Sequence, residues 1–338
     1  MNDRIPQVPP VIASLAPGQN QPLWSVMIPS YNCIRFLRYT LESVLAQDPG
    51  INKMQIEVID DCSTDGDVKA LVMEIGKGRI SFYRQQLNRG SLRNFETCIN
   101  RANGKFIHLL HGDDSVKAGF YNEIEGLFNA YPGIGAAYTR SSNIDADNVE
   151  ESGLPDNLYP PRGIIEDFLT RIACFQQLQP PSIVVKRSVY EHLGSFFAVN
   201  YGEDWEMWTR IAANYKVAFS PKCLACYRAG HGTNITNQSV LTGQNIVDIS
   251  RVIDIIQQYL PADKRSELKN QARKNFSIHY AMASNKIYPQ NKKMAFVQAR
   301  GAIKLHKNLK TFYYLLKLYL VHFKSILGWR NVNERFLV

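Results

Sequence analysis

Segments with strand and helix patterns alternate from Leu23 to about Arg140, and this alternation limits the fold more than any other feature of the sequence. Short apolar runs between turn residues predict buried strands, and apolar positions spaced three and four residues apart predict helices. Strands that alternate with helices form a largely parallel sheet that is covered on both faces. We therefore expect an α/β fold with a mostly parallel, mixed sheet.

The elements can be predicted along most of the chain. Predicted strands cover 23–28, 55–59, 80–84, 105–110, 134–138, 182–185 and parts of 217–228. Predicted helices follow Asn32, which is expected to cap the first of them, and cover 67–75, 92–102, 121–131, 164–174, 187–193 and 204–214. Residues 141–162 are typical of a polar loop that serves as a lid or binds an acceptor. Residues 1–22 are expected to be a flexible tail, 23–236 the α/β domain, and 237–338 a helical region.

The positive charge of the chain is concentrated in the helical region. The net charge is +9, yet residues 1–260 carry 23 Lys/Arg against 27 Asp/Glu, and residues 261–338 carry 16 against 3. Lys310, Lys317 and Lys324 recur every seven residues in an apolar stretch that they interrupt too often for a membrane span. The pattern favours an amphipathic helix on an anionic membrane surface, and the alternative is a helix packed on the α/β domain.

Other partners and locations are less favoured. Nucleic-acid binding is not favoured, because the charges lie on apolar-rich helices. The N-terminal tail has no apolar run long enough for an export signal, so we expect a cytoplasmic protein, peripheral on the inner face of the cell membrane.

An aromatic residue follows the first strand, where a dinucleotide-binding protein would have a glycine-rich turn. The segment reads Pro29-Ser-Tyr-Asn32, and the ring of Tyr31 is a candidate for stacking a nucleobase, a contact worth about 1–3 kcal/mol. Asp61 follows the next strand, and its carboxylate would select an N–H group of that nucleobase. The alternatives are a structural tyrosine and an exposed acidic turn in which Asp65 or Ser63 caps the following helix.

Two adjacent carboxylates, Asp113 and Asp114, follow the apolar strand 105–110 and repel each other unless a cation intervenes. Mg²⁺ or Mn²⁺, bound by these carboxylates and by diphosphate oxygens, removes the conflict and would stabilise a departing diphosphate. Arg89 and Arg93 are candidates for holding the phosphates. The alternative for both arginines is a solvated surface position.

A third acidic run, Gly202-Glu-Asp-Trp-Glu-Met-Trp208, begins a predicted helix. The helix dipole keeps a carboxylate in the first turn ionised, which suits Asp204 to act as a general base on a sugar hydroxyl. Glu203, Trp205 and Trp208 would then lie on the acceptor side. The alternative for the two tryptophans is core packing, because aromatic residues at helical spacing are most often core.

The joint order of the motifs resembles that of the family 2 glycosyltransferases. The segments that carry the resemblance are Pro29–Asn32, Asp60-Asp-Cys-Ser-Thr-Asp65, Gly112-Asp-Asp114, Gly202–Trp208 and Tyr227-Arg-Ala-Gly-His231, within about 23–236. The resemblance implies the nucleotide-diphospho-sugar-binding GT-A fold for this catalytic domain. It also implies an inverting enzyme that uses a divalent metal ion, Mn²⁺ or Mg²⁺, and a nucleotide-diphospho-sugar donor.

The resemblance further implies residue roles. Tyr31 and Asp61, with Pro29 beside them, would hold the nucleobase, and Asp113 and Asp114 would hold the ribose and the metal. Asp204 would be the general base of a single in-line displacement. His231, with Arg228 nearby, would line the diphosphate. In one departure, His111 stands where the family usually has the first Asp of its Asp-x-Asp. The Gln-x-x-Arg-Trp of processive relatives is absent from the sequence, so we expect one sugar per encounter.

The expected reaction is therefore metal-dependent transfer of a single sugar to a glycan or lipid-linked acceptor, in the synthesis of surface polysaccharide, O-antigen or a related glycan. The alternative, favoured by His111, is a non-catalytic relative that binds a sugar nucleotide or glycan. A sugar nucleotidyltransferase is a third possibility, but it would need a glycine-rich, arginine-bearing turn where Pro29-Ser-Tyr31 stands.

Overall fold

The computed structural model describes residues 4–16, 18, 21–151, 159–229 and 235–327. The described strands are β1 (Trp24–Ser30), β2 (Met54–Asp60), β3 (Ser81–Arg84), β4 (Phe106–Leu109), β5 (Ser115–Val116), β6 (Ala136–Ile144), β7 (Gly163–Ile164), β8 (Ile183–Lys186) and β9 (Val217–Arg228). The described helices are α1 (Ile34–Leu45), α2 (Val68–Gly76), α3 (Ser91–Arg101), α4 (Phe120–Ala130), α5 (Phe168–Cys174), α6 (Arg187–Leu193), α7 (Glu203–Asn214), α8 (Ile235–Thr242), α9 (Gln244–Ile255), α10 (Arg265–Ile287), α11 (Lys292–Leu305) and α12 (Leu309–Ile326).

The strands form one mixed sheet in the order β3-β2-β1-β4-β8-β6-β9-β5, with β7 paired to β9. β1 runs parallel to β2 and β4, and β2 runs parallel to β3. β8 is antiparallel to both β4 and β6, and β9 is parallel to β6. Because β1, β2 and β4 run in the same direction, their C-terminal ends meet at one edge of the sheet, which is where α/β proteins collect ligands.

Apolar side chains from both faces of the sheet make two cores. One core joins the sheet to α1, α2 and α4, and the other joins it to α3, α5, α6 and α7. Every residue of β1 is buried, as expected for a central strand with helices on both sides. The predicted α/β fold is therefore confirmed.

The turns after β1 and β2 differ from the prediction. The prediction that Asn32 caps α1 is wrong, because Cys33 occupies the N-cap and makes no side-chain capping bond. The carboxylate of Asp65 accepts the Ile34 N–H instead, at 2.9 Å. Asn32 accepts the N–H of Thr64 at 2.8 Å. The two turns therefore stabilise each other across the sheet edge.

Other differences are local. Asp67, rather than Asp65 or Ser63, caps α2 by accepting the Ala70 N–H at 2.9 Å. β6 continues to Ile144, into the predicted loop 141–162, because it pairs with β9 over that length. Residues 152–158 of that loop lie outside the described residues. The short strands β5 and β7 were not predicted, since two residues carry no periodic signal.

The N-terminal segment 4–16, expected to be a flexible tail, lies against the body of the protein. The Ser195 N–H donates to the Pro10 carbonyl at 2.8 Å, and the Ala198 N–H donates to the Pro6 carbonyl at 2.8 Å. Ile12 is buried in the core on the α3 side of the sheet. A backbone held by hydrogen bonds and an apolar anchor is not a free tail.

The C-terminal helices join the α/β domain through a shared core. α9 and α10 contribute to the core on the α3 side of the sheet, and Phe276 of α10 contacts Trp205 of α7 with ring centroids 4.7 Å apart. α12 buries only Thr311 and Leu318. None of the described helices combines the length and the apolar character needed to cross a bilayer. The domain boundary near residue 237 stays a prediction.

Candidate active site

The ends of β1 and β4 lie side by side at the ligand-binding edge. The Gly112 N–H donates to the Pro29 carbonyl at 3.0 Å. A Cβ atom on Gly112 would lie 2.8 Å from Cys33 Sγ and 3.2 Å from the Pro29 carbonyl oxygen. Glycine at this position therefore lets the segment His111–Asp114, here called the acidic loop, pass close against β1.

The acidic loop brings three potential metal ligands together. One ligand atom from each of His111, Asp113 and Asp114 lies within 4.8 Å of the other two. Asp114 Oδ1 accepts the Arg228 N–H at 2.8 Å, but Asp114 Oδ2 is buried without a hydrogen-bond partner in the described part of the chain. Burial and the charge of Asp113 raise the pKa of Asp114 well above its usual value. A buried, unpartnered carboxylate oxygen fits a cation, so these residues are suited to hold a divalent metal ion.

His111 is held by stacking. Its ring lies parallel to that of Phe95 on α3, with centroids 5.0 Å apart and an interplanar angle of 11°. Burial lowers the pKa of His111, and the charge of Asp113 opposes that shift. A neutral imidazole keeps one nitrogen lone pair available.

The first acidic pair, Asp60 and Asp61, makes hydrogen bonds within the protein. Asp60 accepts hydrogen bonds from the Ser63 hydroxyl at 2.5 Å and from the Arg84 guanidinium. Asp61 Oδ1 accepts the Arg89 N–H at 2.7 Å, and Asp61 Oδ2 accepts the Gly90 N–H at 2.9 Å. Burial raises the pKa of Asp61, and the hydrogen bonds from the Arg89 and Gly90 N–H groups partly offset the shift. Asp61 therefore fixes the turn before α3, and its contact with a nucleobase stays a prediction.

Tyr31 directly follows β1, and Arg93 lies in the first turn of α3. Tyr31, at the end of β1, is 50% exposed, so its ring is open to a ligand. Arg93 donates to Glu96 along α3 at 2.7 Å. Nucleobase stacking by Tyr31 and phosphate binding by Arg93 stay predictions.

Arg228 connects the acidic loop to the turn after β6. Its guanidinium donates to the Asp113 carbonyl at 2.8 Å, to Asn148 Oδ1 at 2.5 Å and to the Asp145 carbonyl. The guanidinium also lies 4.4 Å from the centre of the Phe36 ring. This buried side chain supports the backbone of the site, and any contact with a diphosphate stays a prediction. His231 lies outside the described residues.

Asp204 lies in the first turn of α7. Its Oδ1 accepts the Trp205 N–H at 2.7 Å, and its Oδ2 accepts the Gln176 amide at 2.6 Å. Burial raises the pKa of Asp204 to about 6, although both hydrogen bonds lower it. A small cavity of about 10 Å³, room for one water, is lined by both Asp204 and His111. Asp204 of the third acidic run and His111 of the acidic loop therefore face the same cavity.

The residues expected on the acceptor side are divided between the cavity and the core. Glu203 lines the cavity, and burial and the charges of Asp204 and Asp248 raise its pKa well above the usual value. Trp208 is buried but lines the same cavity. Trp205 is fully buried, and its indole donates to the Ile172 carbonyl at 2.6 Å. The placement of Trp205 corresponds to core packing, the alternative that helical spacing had left open.

Two polar residues support the start of α7 without belonging to any motif. Gln176 follows α5 and donates to Asp204. Asp248 of α9 accepts the Tyr201 N–H at 3.2 Å and the Gln244 amide at 2.8 Å. Neither residue has a local sequence signal, because its role depends on tertiary packing alone.

Comparisons with known proteins support the glycosyltransferase interpretation and the fold. The glycosyl transferase family 2 model matches residues 25–179. The chain is 25% identical over 254 residues to an uncharacterized protein of Mycobacterium tuberculosis, covering 72% of this chain and 77% of that protein. It is 33% identical over 99 residues to the putative teichuronic acid biosynthesis glycosyltransferase TuaG of Bacillus subtilis, covering 29% of this chain and 38% of TuaG.

Solved structures have the same fold. Residues 1–349 of TarS from Staphylococcus aureus, in complex with UDP-GlcNAc, match with a TM-score of 0.60 at 15% identity, over 92% of this chain and 94% of that one. The mannosyltransferase PcManGT from Pyrobaculum calidifontis, with GDP-Man and Mn²⁺, matches with a TM-score of 0.51 at 17% identity, over 96% of this chain and 91% of that one. The predicted GT-A fold is confirmed, and residues 25–179 match the glycosyl transferase family 2 model, in agreement with the resemblance of the motifs.

Proposed function

We propose that the protein transfers one sugar from a nucleotide-diphospho-sugar to an acceptor hydroxyl, with inversion at the anomeric carbon and with a divalent cation in the acidic loop. The observation that carries this proposal is the cavity lined by both Asp204 and His111. Support for the donor comes from the complexes of TarS with UDP-GlcNAc and of PcManGT with GDP-Man. The names of TuaG and TarS, the latter a poly(ribitol-phosphate) β-N-acetylglucosaminyltransferase, favour a surface glycan as acceptor.

In this mechanism Asp204 removes the proton of the acceptor hydroxyl as that oxygen attacks the donor. Its carboxylate is oriented by the Trp205 N–H and by Gln176, and a pKa of about 6 leaves it largely ionised at neutral pH. Asp113 and Asp114 would hold the cation, which neutralises charge on the leaving diphosphate. Tyr31 and Asp61 would bind the nucleobase.

An Asp204→Asn variant tests the proposal. We expect transfer from the active donor in a panel of UDP- and GDP-sugars to fall by about 10²–10⁴-fold, while the thermal shift produced by that donor is retained. Asp67→Asn is the matched control, since asparagine caps a helix as well as aspartate and no residue of α2 lines the cavity. Normal turnover of Asp204→Asn would contradict its role as the base. Donor binding by the wild type without release of nucleoside diphosphate, with or without Mn²⁺, would favour the binding-protein alternative.

We also infer that α12 rests on an anionic membrane surface, where a lipid-linked acceptor would be available. Large apolar side chains on this helix are 42–89% exposed: Leu309, Phe312, Tyr313, Leu316, Tyr319, Leu320, Val321, Phe323 and Ile326. Lys310 and Lys324 are exposed beside them, and Lys317 is partly buried. Apolar side chains flanked by lysines suit the interface of a membrane with anionic lipids.

Sedimentation with lipid vesicles tests this inference. The wild type should bind vesicles of phosphatidylcholine with phosphatidylglycerol more strongly than vesicles of phosphatidylcholine alone. Leu316→Glu and Phe323→Glu should each weaken binding about tenfold or more, because each removes an apolar side chain worth roughly 1.5–3 kcal/mol. Met73→Glu, which changes an exposed side chain on α2, is the control. Absence of binding together with a dimer that Leu316→Glu dissociates would assign the surface to a second copy of the chain.

A further inference from the structure

His111 gives the acidic loop a ligand that an all-carboxylate site would lack. We propose that His111 binds the cation through a ring nitrogen and that the site therefore prefers Co²⁺ or Zn²⁺ to Mg²⁺. The inference rests on the proposed function, since it concerns the cation that sugar transfer would use.

The positions of the three side chains are the first argument. Their ligand atoms already lie within 4.8 Å of one another. Atoms that bind one cation at about 2.1 Å can be no more than about 4.2 Å apart, so a movement of roughly half an ångström completes the set. The short path between His111 and Asp113 is fixed, because Gly112 lies against Cys33 and the Pro29 carbonyl.

The second, independent argument is the unsatisfied carboxylate. Asp114 is 1% exposed, and its Oδ2 has no hydrogen-bond partner in the described residues. Its Oδ1 is already bonded to the Arg228 N–H. Buried polar atoms are almost always satisfied, and an exception calls for a bound water or ion as its partner. A cation between Asp113 and Asp114 supplies that partner and also relieves the repulsion between them.

The third argument is the orientation of His111. The ring is held by stacking on Phe95. No side chain or backbone group in the described ranges makes a hydrogen bond to it, so neither ring nitrogen is committed to the fold. The imidazole therefore enters the site with its direction fixed by packing and with its bonding capacity unused.

Ligand chemistry then decides the metal. Mg²⁺ favours an octahedral shell of oxygen atoms, whereas imidazole nitrogen suits the later divalent transition metals such as Zn²⁺. A set of one imidazole and two carboxylates is consequently better matched to Co²⁺ and Zn²⁺ than to Mg²⁺. An aspartate at position 111 would instead make the set all oxygen.

Pulsed electron paramagnetic resonance of bound Mn²⁺ tests the nitrogen ligand directly, on protein without a histidine tag and without donor. The echo modulation of the wild type should contain a ¹⁴N coupling that disappears in His111→Asp and persists in His192→Gln, which changes an exposed histidine on α6. Competition of Co²⁺ with Mg²⁺ should show that His111→Asp weakens Co²⁺ binding relative to Mg²⁺ binding by about tenfold or more, since even outer-sphere changes cost about that much in metal affinity. Thermal unfolding without metal checks that the variant folds.

Bound Mn²⁺ without ¹⁴N coupling in the wild type would overturn the inference, and so would failure to bind Mn²⁺ both alone and with UDP. Nitrogen coupling without any sugar transfer would support the metal site while contradicting the proposed function. Metal-dependent transfer without nitrogen coupling would support the proposed function and contradict the binding of the cation by His111.

Discussion

The acidic pairs at the ends of β2 and β4 are alike in sequence and opposite in surroundings. In the first pair, Asp60 is bonded to Ser63 and Arg84, and both oxygens of Asp61 accept peptide N–H groups. In the second pair, one oxygen of Asp114 is buried and unpartnered within the described ranges. Carboxylates that the fold satisfies stabilise the fold, whereas a carboxylate that it leaves unsatisfied is stabilised by a ligand.

The difference teaches that an acidic pair after a buried strand predicts a position but not a role. Both pairs lie at the same sheet edge because β1, β2 and β4 are parallel. Their roles depend on groups distant in sequence: residues 84–90 for the first pair, and Arg228 for the second. Substitution of Asp60 should therefore reduce stability, and substitutions in the second pair should reduce activity.

The largest expected effect is that of Asp114→Asn. Transfer should fall by about 10³-fold, because the variant weakens the hold on a cation that supplies several kcal/mol to the transition state. Stability without metal should not fall, since the change removes a buried charge that has little compensation. Transfer assays and urea unfolding measure the two effects. A variant that is active but strongly destabilised would place Asp114 with the satisfied pair.

Much of the fold was predictable from the sequence because its signals are local. Periodicity and turn residues predict the helices over 187–193 and 204–214 and the strands at 55–59 and 105–110. The structure has each of these elements within one residue at each end. The sheet edge follows from the parallel alternation. The cap of α1 was mispredicted because Asp65, from a neighbouring turn, takes the place of Asn32.

The site was predictable as a set of motifs but not as a set of contacts. Sequence motifs led to Asp204, and the cavity that it shares with His111 depends on how α7 packs against the sheet. The hydrogen bonds from Gln176 to Asp204 and from Arg228 to the Asp113 carbonyl join residues distant in sequence, and no periodic pattern predicts them. The core position of Trp205 was one of two interpretations that helical spacing allowed.

Asp60→Asn should have the next largest effect, and it acts on stability. The side chain is fully buried, and its substitution weakens bonds to Ser63 and Arg84. We expect a loss of about 2 kcal/mol in the free energy of unfolding, while the folded fraction keeps its transfer rate. Denaturant unfolding and an assay at low temperature separate these quantities. Loss of transfer at unchanged stability would mean that both pairs serve the ligand.

Asp204 is an intermediate case, because both of its oxygens are partnered and burial still raises its pKa to about 6. A general base works when deprotonated, so transfer should fall about tenfold for each pH unit below about 6. The folded state also binds this proton more tightly than the unfolded state, so the contribution of Asp204 to stability is lost as the pH rises through about 6. Asp204→Asn should therefore be more stable than the wild type at pH 8, by up to about 3 kcal/mol, and about equally stable at pH 4. A pH-independent rate between 5 and 8 would contradict this role.

The smallest expected effect tests the close contact of Gly112 with β1 and Cys33, which positions the acidic loop. In Gly112→Ala the new methyl group meets Cys33 Sγ and the Pro29 carbonyl, so the loop must move by several tenths of an ångström. We expect about 1 kcal/mol less stability and roughly tenfold slower transfer. Gly133→Ala is the matched control, since a Cβ there meets nothing within 4 Å. Adding Cys33→Ala to Gly112→Ala removes the closer obstacle and should recover part of both losses. If Gly112→Ala behaved like Gly133→Ala, the close approach to β1 would not be what fixes His111 and Asp113 in place.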